Sequence, residues 1–203
     1  MIKLILLLAC LGHVFCGITD CMLAYSKTGR FEFSDIKDNE KMKKVFFSMS
    51  LKQVELSMMI GIVSLFMACF GYIAISREIS KSSLLWGRVM LVSSLFFIVL
   101  ISAHHVLCGA VEWFYIRLKM TEDARNAVIQ FFKRTSFAAI AYIGLLVFDI
   151  VLLIFVVSGH TELPRWTCIF NTIPLFLLMV PTKIPAKGNI ANAIMFLGLA
   201  FLF

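Results

Sequence analysis

The chain has 203 residues, of which 61% are hydrophobic and 15% charged, and its 19 Lys and Arg against 12 Asp and Glu leave a formal charge of +7. An ordinary soluble domain is about 45–50% apolar and about 25% charged, so water is the wrong solvent for this composition, and the disordered, collagen-like and disulfide-scaffold classes fall as well. The basic excess does not indicate nucleic acid, because it lies in short gaps between apolar runs and lacks a Lys/Arg stripe with interleaved aromatics. The expectation is therefore an all-α polytopic membrane helical bundle, a single domain over residues 1–203, whose partner is the lipid bilayer and not a nucleic acid.

A bilayer core of about 30 Å takes about 20 apolar residues per helix. Apolar runs at residues 2–25, 54–75, 84–116, 136–157, 166–181 and 189–203 predict about six transmembrane helices. In the first run, Lys3 followed by Ile5 to Leu11 has the outline of a signal peptide. The apolar stretch continues to Leu23 without a small-x-small cleavage site, so it is expected to remain as a helix. In the connection 26–53, Ser34 is a potential helix cap. Asp35 and Asp38 follow in the first turns and Lys41, Lys43 and Lys44 in the later ones, the charge order a helix dipole favours. Val45, Phe46, Phe47 and Met49 beside those lysines fit either a segment resting on anionic headgroups or a solvated connection that enforces topology. The third run is longer than one crossing needs, so it tilts or leaves the bilayer before Ile116. The connection 117–135 repeats the capping pattern with Thr121, Glu122 and Asp123 ahead of Arg125, Lys133 and Arg134. Pro174 interrupts the fifth run and Pro181 ends it, so the fifth and sixth runs read as a tilted or partly re-entrant hairpin.

Orientation follows from the basic residues. One side of a six-helix layout holds Lys3, Arg77, Lys81, Arg88 and Arg165, five of the 19, and the other side holds the remaining fourteen. This places both termini outside and the connections after the first, third and fifth helices, 26–53 and 117–135 among them, in the cytoplasm.

Ionisable groups at bilayer depth cost roughly 2.5–3.5 kcal/mol each on insertion scales, so each must face a partner, a cavity or the headgroups. His13 and Asp20 are seven positions apart and lie within about 20° of each other on a helix of 3.6 residues per turn. His104, His105 and Glu112 share a sector of the third helix with Ser94, Ile101 and Cys108. The fourth helix adds Tyr142 and Asp149, the fifth Asn171, and the sixth Asn189 and Asn192. Depth along the axes groups His13, Asp20, His104, His105, Glu112 and Asn192 into one polar layer. Asp149 is either a separate feature or the far end of that layer, and Glu112 is its outermost member, beside the interfacial Trp113 and Tyr115. Three readings stay open: a structural layer in which Asp20 accepts from a histidine and from Asn192, a site for a small amphipathic, cationic or lipid ligand, and a lipid-directed enzyme with His/Asp acid-base chemistry. No metal is expected, because adjacent His104 and His105 point about 100° apart and lack the i, i+4 spacing of a zinc helix. The six cysteines show no CxxC pair and read as buried thiols. No cofactor, substrate or oligomeric state is legible.

Leu163-Pro164-Arg165-Trp166, Phe170-Asn171 and Pro174-Leu175 at the fifth helix, with Gly17 to Asp20 in the first, resemble an uncharacterised family of six-helix bacterial integral membrane proteins. The resemblance implies the same layout and brings no activity.

Overall fold

The structure, a computed structural model, describes residues 1–136 and 138–203. Phe137, which falls in the fourth predicted run, and the side chains of Phe33 and Ala139 lie outside the described residues. The fold is all-α apart from one small hairpin. Helix α1 (Ile2–Ala24) leads into strands β1 (Tyr25–Ser26) and β2 (Gly29–Arg30), then a 3-10 turn (Phe33–Lys37) and α2 (Asn39–Phe46). Two long helices follow, α3 (Leu51–Ser82) and α4 (Leu84–Arg117), then α5 (Glu122–Thr135) and α6 (Ala138–Val157). A 3-10 turn (Arg165–Phe170), α7 (Thr172–Met179) and α8 (Lys187–Leu202) complete the chain.

Among the described residues, four helices are long and apolar enough to cross a membrane: α1, α3, α4 and the Ile140–Val157 part of α6. The predicted count of about six is not confirmed. The fifth predicted run breaks at Asn171, whose side chain caps α7 through the Ile173 amide, so a 3-10 turn and an eight-residue helix replace one continuous span. The sixth, α8, has 16 residues, about 24 Å at 1.5 Å per residue, short of a bilayer core. Conversely, α3 and α4 exceed their predicted bounds with 32 and 34 residues. The cap of α2 is Asp38, not Ser34: its Oδ1 accepts from the amides of Glu40 and Lys41. Thr121 does cap α5, accepting from the Ala124 amide.

Small residues set the helix crossings. At Gly12 a Cβ would stand 2.5 Å from the Ser64 carbonyl oxygen and 2.8 Å from the Ala68 amide, so α1 and α3 touch backbone to backbone there. At Gly144 a Cβ would stand 2.5 Å from the Ser93 carbonyl oxygen, which brings α6 against α4 in the same way. Such close approach is how helices associate where no hydrophobic effect drives them together. Helix α8 packs on α1, and the Arg165–Phe170 turn links α6 to α8, which closes the ring. The core of this ring holds Tyr72, Phe97, Phe148 and Phe196, with Tyr72 edge-on to the other three.

Helix α5 is not a loose connection. It continues along the other half of α4 from α6, with Phe132 against His104 and Val128 in one cluster with Phe46 and Tyr115. The end of α1, the start of α3 and the 117–135 segment are tied together at this end of the bundle. Gln53 donates to the carbonyls of Met22 and Tyr25, the Tyr115 hydroxyl donates to Oδ1 of Asn39, Arg125 to the Ile36 carbonyl and Arg30 to the Lys183 carbonyl. Lys3 stacks on Phe201 at the opposite end.

Candidate functional site

Between α1, α4, α5 and α8, with α2 and the segment before it as a cover, lies a cavity of about 570 Å³. That volume is within the roughly 300–1,000 Å³ of small-molecule sites. Its walls are mostly apolar, with Phe46, Ile101, Val128 and Phe132 among them, and its mouth is edged by the exposed side chains of Arg30, Glu32 and Lys133. Polar residues of α1, α4 and α8 interrupt that apolar lining. His13, Asp20, His104, His105, Glu112 and Asn192, six of the seven residues expected in the polar layer, line the cavity.

Asp149 is not among them. It is buried on α6, where its backbone carbonyl accepts from Asn171 and its Oδ1 has no partner among the described residues. The period of an isolated α6 places Asp149 on a face but does not say which neighbour covers that face; the Arg165–Phe170 turn and α7 do.

The layer is bonded differently from the expected pattern. Asp20 accepts from Asn189, not Asn192, at 2.7 Å, one helical turn earlier on α8. The Oδ1 of Asn189 in turn accepts from Nδ1–H of His13 at 2.9 Å. Nε2 of His13 and Oδ1 of Asn192 both lie within bonding distance of the Tyr72 hydroxyl, at 3.1 and 2.9 Å, and its single proton is shared between them. Asn192 also accepts from Thr172 at 3.0 Å. A continuous bonded track thus runs from the cavity wall at Asp20 into the core, and His13 within it is 1% exposed. Buried polar groups so paired avoid the penalty of about 1–3 kcal/mol for an unmade bond.

His105 connects α4 to α1 across α3. Gly61 makes this possible, since a Cβ at that position would stand 2.2 Å from Nε2 of the imidazole. Nε2 lies 3.1 Å from the Ser57 carbonyl, which can only accept, so Nε2 carries a proton. Nδ1 then faces Oδ1 of Asp20 at 3.2 Å. Two groups of the same wall are unpaired among the described residues, Nδ1 of His104 and Oε2 of Glu112. Glu112 is buried, at 8% exposure.

Sequence reasoning left three members of this region out of the polar layer. Tyr72 carries a hydroxyl in the middle of an apolar helix, which is a signal in itself. Asn189 shares α8 with Asn192, and only the packing of α8 on α1 selects it for Asp20. Cys16, taken as one more buried thiol, is four positions before Asp20 and so on the same face of α1. Its Sγ, a carboxylate oxygen of Asp20 and a ring nitrogen of His105 all lie within 4.8 Å of one another. The two adjacent histidines do diverge as expected: His104 turns to Cys108, with its Nε2 3.4 Å from Sγ, while His105 turns to Ser57 and Asp20.

No curated protein and no solved structure matches the chain. One family model does, over residues 1–203, and like the family the sequence resembles it is uncharacterised. With its full length matched, the chain belongs to a family of unknown function, DUF6796.

Proposed function

We propose that the chain is a multi-pass integral membrane protein of the plasma membrane that binds a small amphipathic or lipid ligand in the cavity between α1, α4, α5 and α8. The observation that carries this reading is the cavity itself, about 570 Å³ of mostly apolar wall into which ionisable groups of α1 and α4 also project. A ligand with its polar head against Asp20, His105 and Asn189 and its apolar body along Phe46 and Val128 would use both kinds of lining. Nδ1 of His104 and Oε2 of Glu112, without a hydrogen-bond partner among the described residues, favour a ligand site over a self-satisfied structural layer. The apolar outer faces, including Val63, Phe66, Val92 and Val99, suit contact with acyl chains. Placing the basic end in the cytoplasm, by the excess of Lys and Arg there, opens the cavity mouth to that side and puts both termini outside. The aromatic cluster around Tyr72 closes the far end, which fits a pocket better than a through-channel.

Native mass spectrometry of the protein in mild detergent tests the reading. A retained amphipathic adduct is expected on the wild-type chain and weakened or lost on Ala24→Trp, which puts an indole into the cavity. A wild-type chain that carries nothing, or an adduct indifferent to the indole, refutes it. The 3.2 Å contact of His105 and Asp20 favours a second reading, an enzyme acting on a lipid with this pair as acid and base. Unchanged turnover of an identified lipid by Asp20→Asn and His105→Ala would remove it.

A further inference from the structure

We infer that Cys16, Asp20 and His105 form a binding site for a thiophilic divalent cation such as Zn²⁺, with one coordination position open to the cavity. This goes beyond ligand binding in the cavity and does not depend on it. Three different donor types, a thiol sulfur, a carboxylate oxygen and an imidazole nitrogen, converge within 4.8 Å. In a tetrahedral zinc site with bonds of about 2.0–2.3 Å, neighbouring ligand atoms stand roughly 3.3–3.8 Å apart. The 3.2 Å between Nδ1 of His105 and Oδ1 of Asp20 is already at that spacing, and a small shift of the Cys16 side chain completes it.

The proton positions support the same assignment. Because the Ser57 carbonyl requires a proton on Nε2, a neutral His105 presents the lone pair of Nδ1 directly to a carboxylate oxygen. Two acceptors at 3.2 Å repel. Either a proton on Nδ1, giving an imidazolium–carboxylate pair, or a metal ion between the two atoms removes that repulsion, and both leave Nδ1 as the ring atom aimed at Asp20. The outer partners are those a metal site needs. The Ser57 carbonyl orients the imidazole, and Asn189 holds the second oxygen of Asp20 at 2.7 Å. A Cys-His-Asp catalytic relay would set thiol and carboxylate on opposite nitrogens of the ring; here the second nitrogen is taken by a backbone carbonyl. Three protein ligands plus an open fourth position is the pattern of exchangeable or catalytic zinc, not of closed structural sites. On binding, the Cys16 thiol gives up its proton to water in the cavity, so affinity rises with pH.

Co²⁺ is the probe for the test, since thiolate coordination produces a sulfur-to-cobalt charge-transfer band and tetrahedral geometry intensifies its visible absorption. Full-length protein in mild detergent should bind one Co²⁺ per chain with both signatures, and Zn²⁺ should displace it. A chain that keeps Cys16 and carries Ala at Cys10, Cys21, Cys69, Cys108 and Cys168 should retain the band. Cys16→Ser should lose it, and Asp20→Asn and His105→Gln should each weaken Co²⁺ binding tenfold or more. Wild-type protein without the band, or a folded Cys16→Ser chain that keeps it, overturns the proposal. If the variants fail to fold, the wild-type spectrum and the chain with Cys16 alone decide the matter.

Discussion

Gly61→Ala isolates the contact on which the site depends. The added Cβ would stand 2.2 Å from Nε2 and 2.4 Å from Cδ2 of His105. Carbon contacts settle at about 3.5–4.0 Å, so the ring must retreat by roughly 1.3 Å or more. Both partners of that ring lie on the α1 and α3 side, so the retreat stretches the 3.1 Å bond to Ser57 and the 3.2 Å contact with Asp20 together. Overpacking of this kind costs about 1–3 kcal/mol and the lost backbone hydrogen bond about 1. Asp20 is 38% exposed, which limits the ion-pair share to about 0.2–1 kcal/mol. Alanine returns about 0.5–1 kcal/mol of helix propensity. The net expectation is a loss of about 2–3 kcal/mol. The assay is a double-variant cycle by unfolding in mixed detergent–SDS micelles. With His105→Ala the clash disappears, so Gly61→Ala/His105→Ala should be no less stable than His105→Ala alone. The coupling should then approach 2–3 kcal/mol, the upper part of the range for residues in direct contact. Effects that add within about 0.5 kcal/mol would refute the reasoning.

Two further outcomes follow from the same packing. Tyr72→Phe removes the hydroxyl shared by His13 and Asn192; it should lower stability by about 1–3 kcal/mol, and a change under 0.5 kcal/mol in the same unfolding assay would argue against the bonded track. Gly12→Ala should destabilise by about 1–3 kcal/mol, since its Cβ meets the backbone of α3, whereas Gly17→Ala should be neutral or slightly stabilising, its nearest neighbour being Cβ of Asn189 at 3.5 Å. Equal effects at the two glycines would show that α1 and α3 do not cross at Gly12.

Composition and hydropathy along the chain were sufficient for the all-α class and for α1, α3, α4 and α6, because an apolar helix of spanning length is a property of one continuous segment. The face shared by His13 and Asp20, and the sector of α4 holding His104, His105 and Glu112, were legible for a related reason: angle about a single helix axis depends only on spacing. The caps divided. Thr121 was readable, but Ser34 was not the cap of α2, since Ser34 falls within a 3-10 turn and the helix starts after Asp38.

What lies between helices was decided by tertiary structure alone. The choice of Asn189 over Asn192 as partner of Asp20 depends on the axial offset of α8 against α1, a quantity that no periodicity contains. The exclusion of Asp149 from the cavity depends on what covers α6, and the inclusion of Cys16 depends on His105 reaching across α3. That reach exists because one residue of α3, Gly61, has no side chain, and its neighbour on the opposite helix is visible only once the helices are packed.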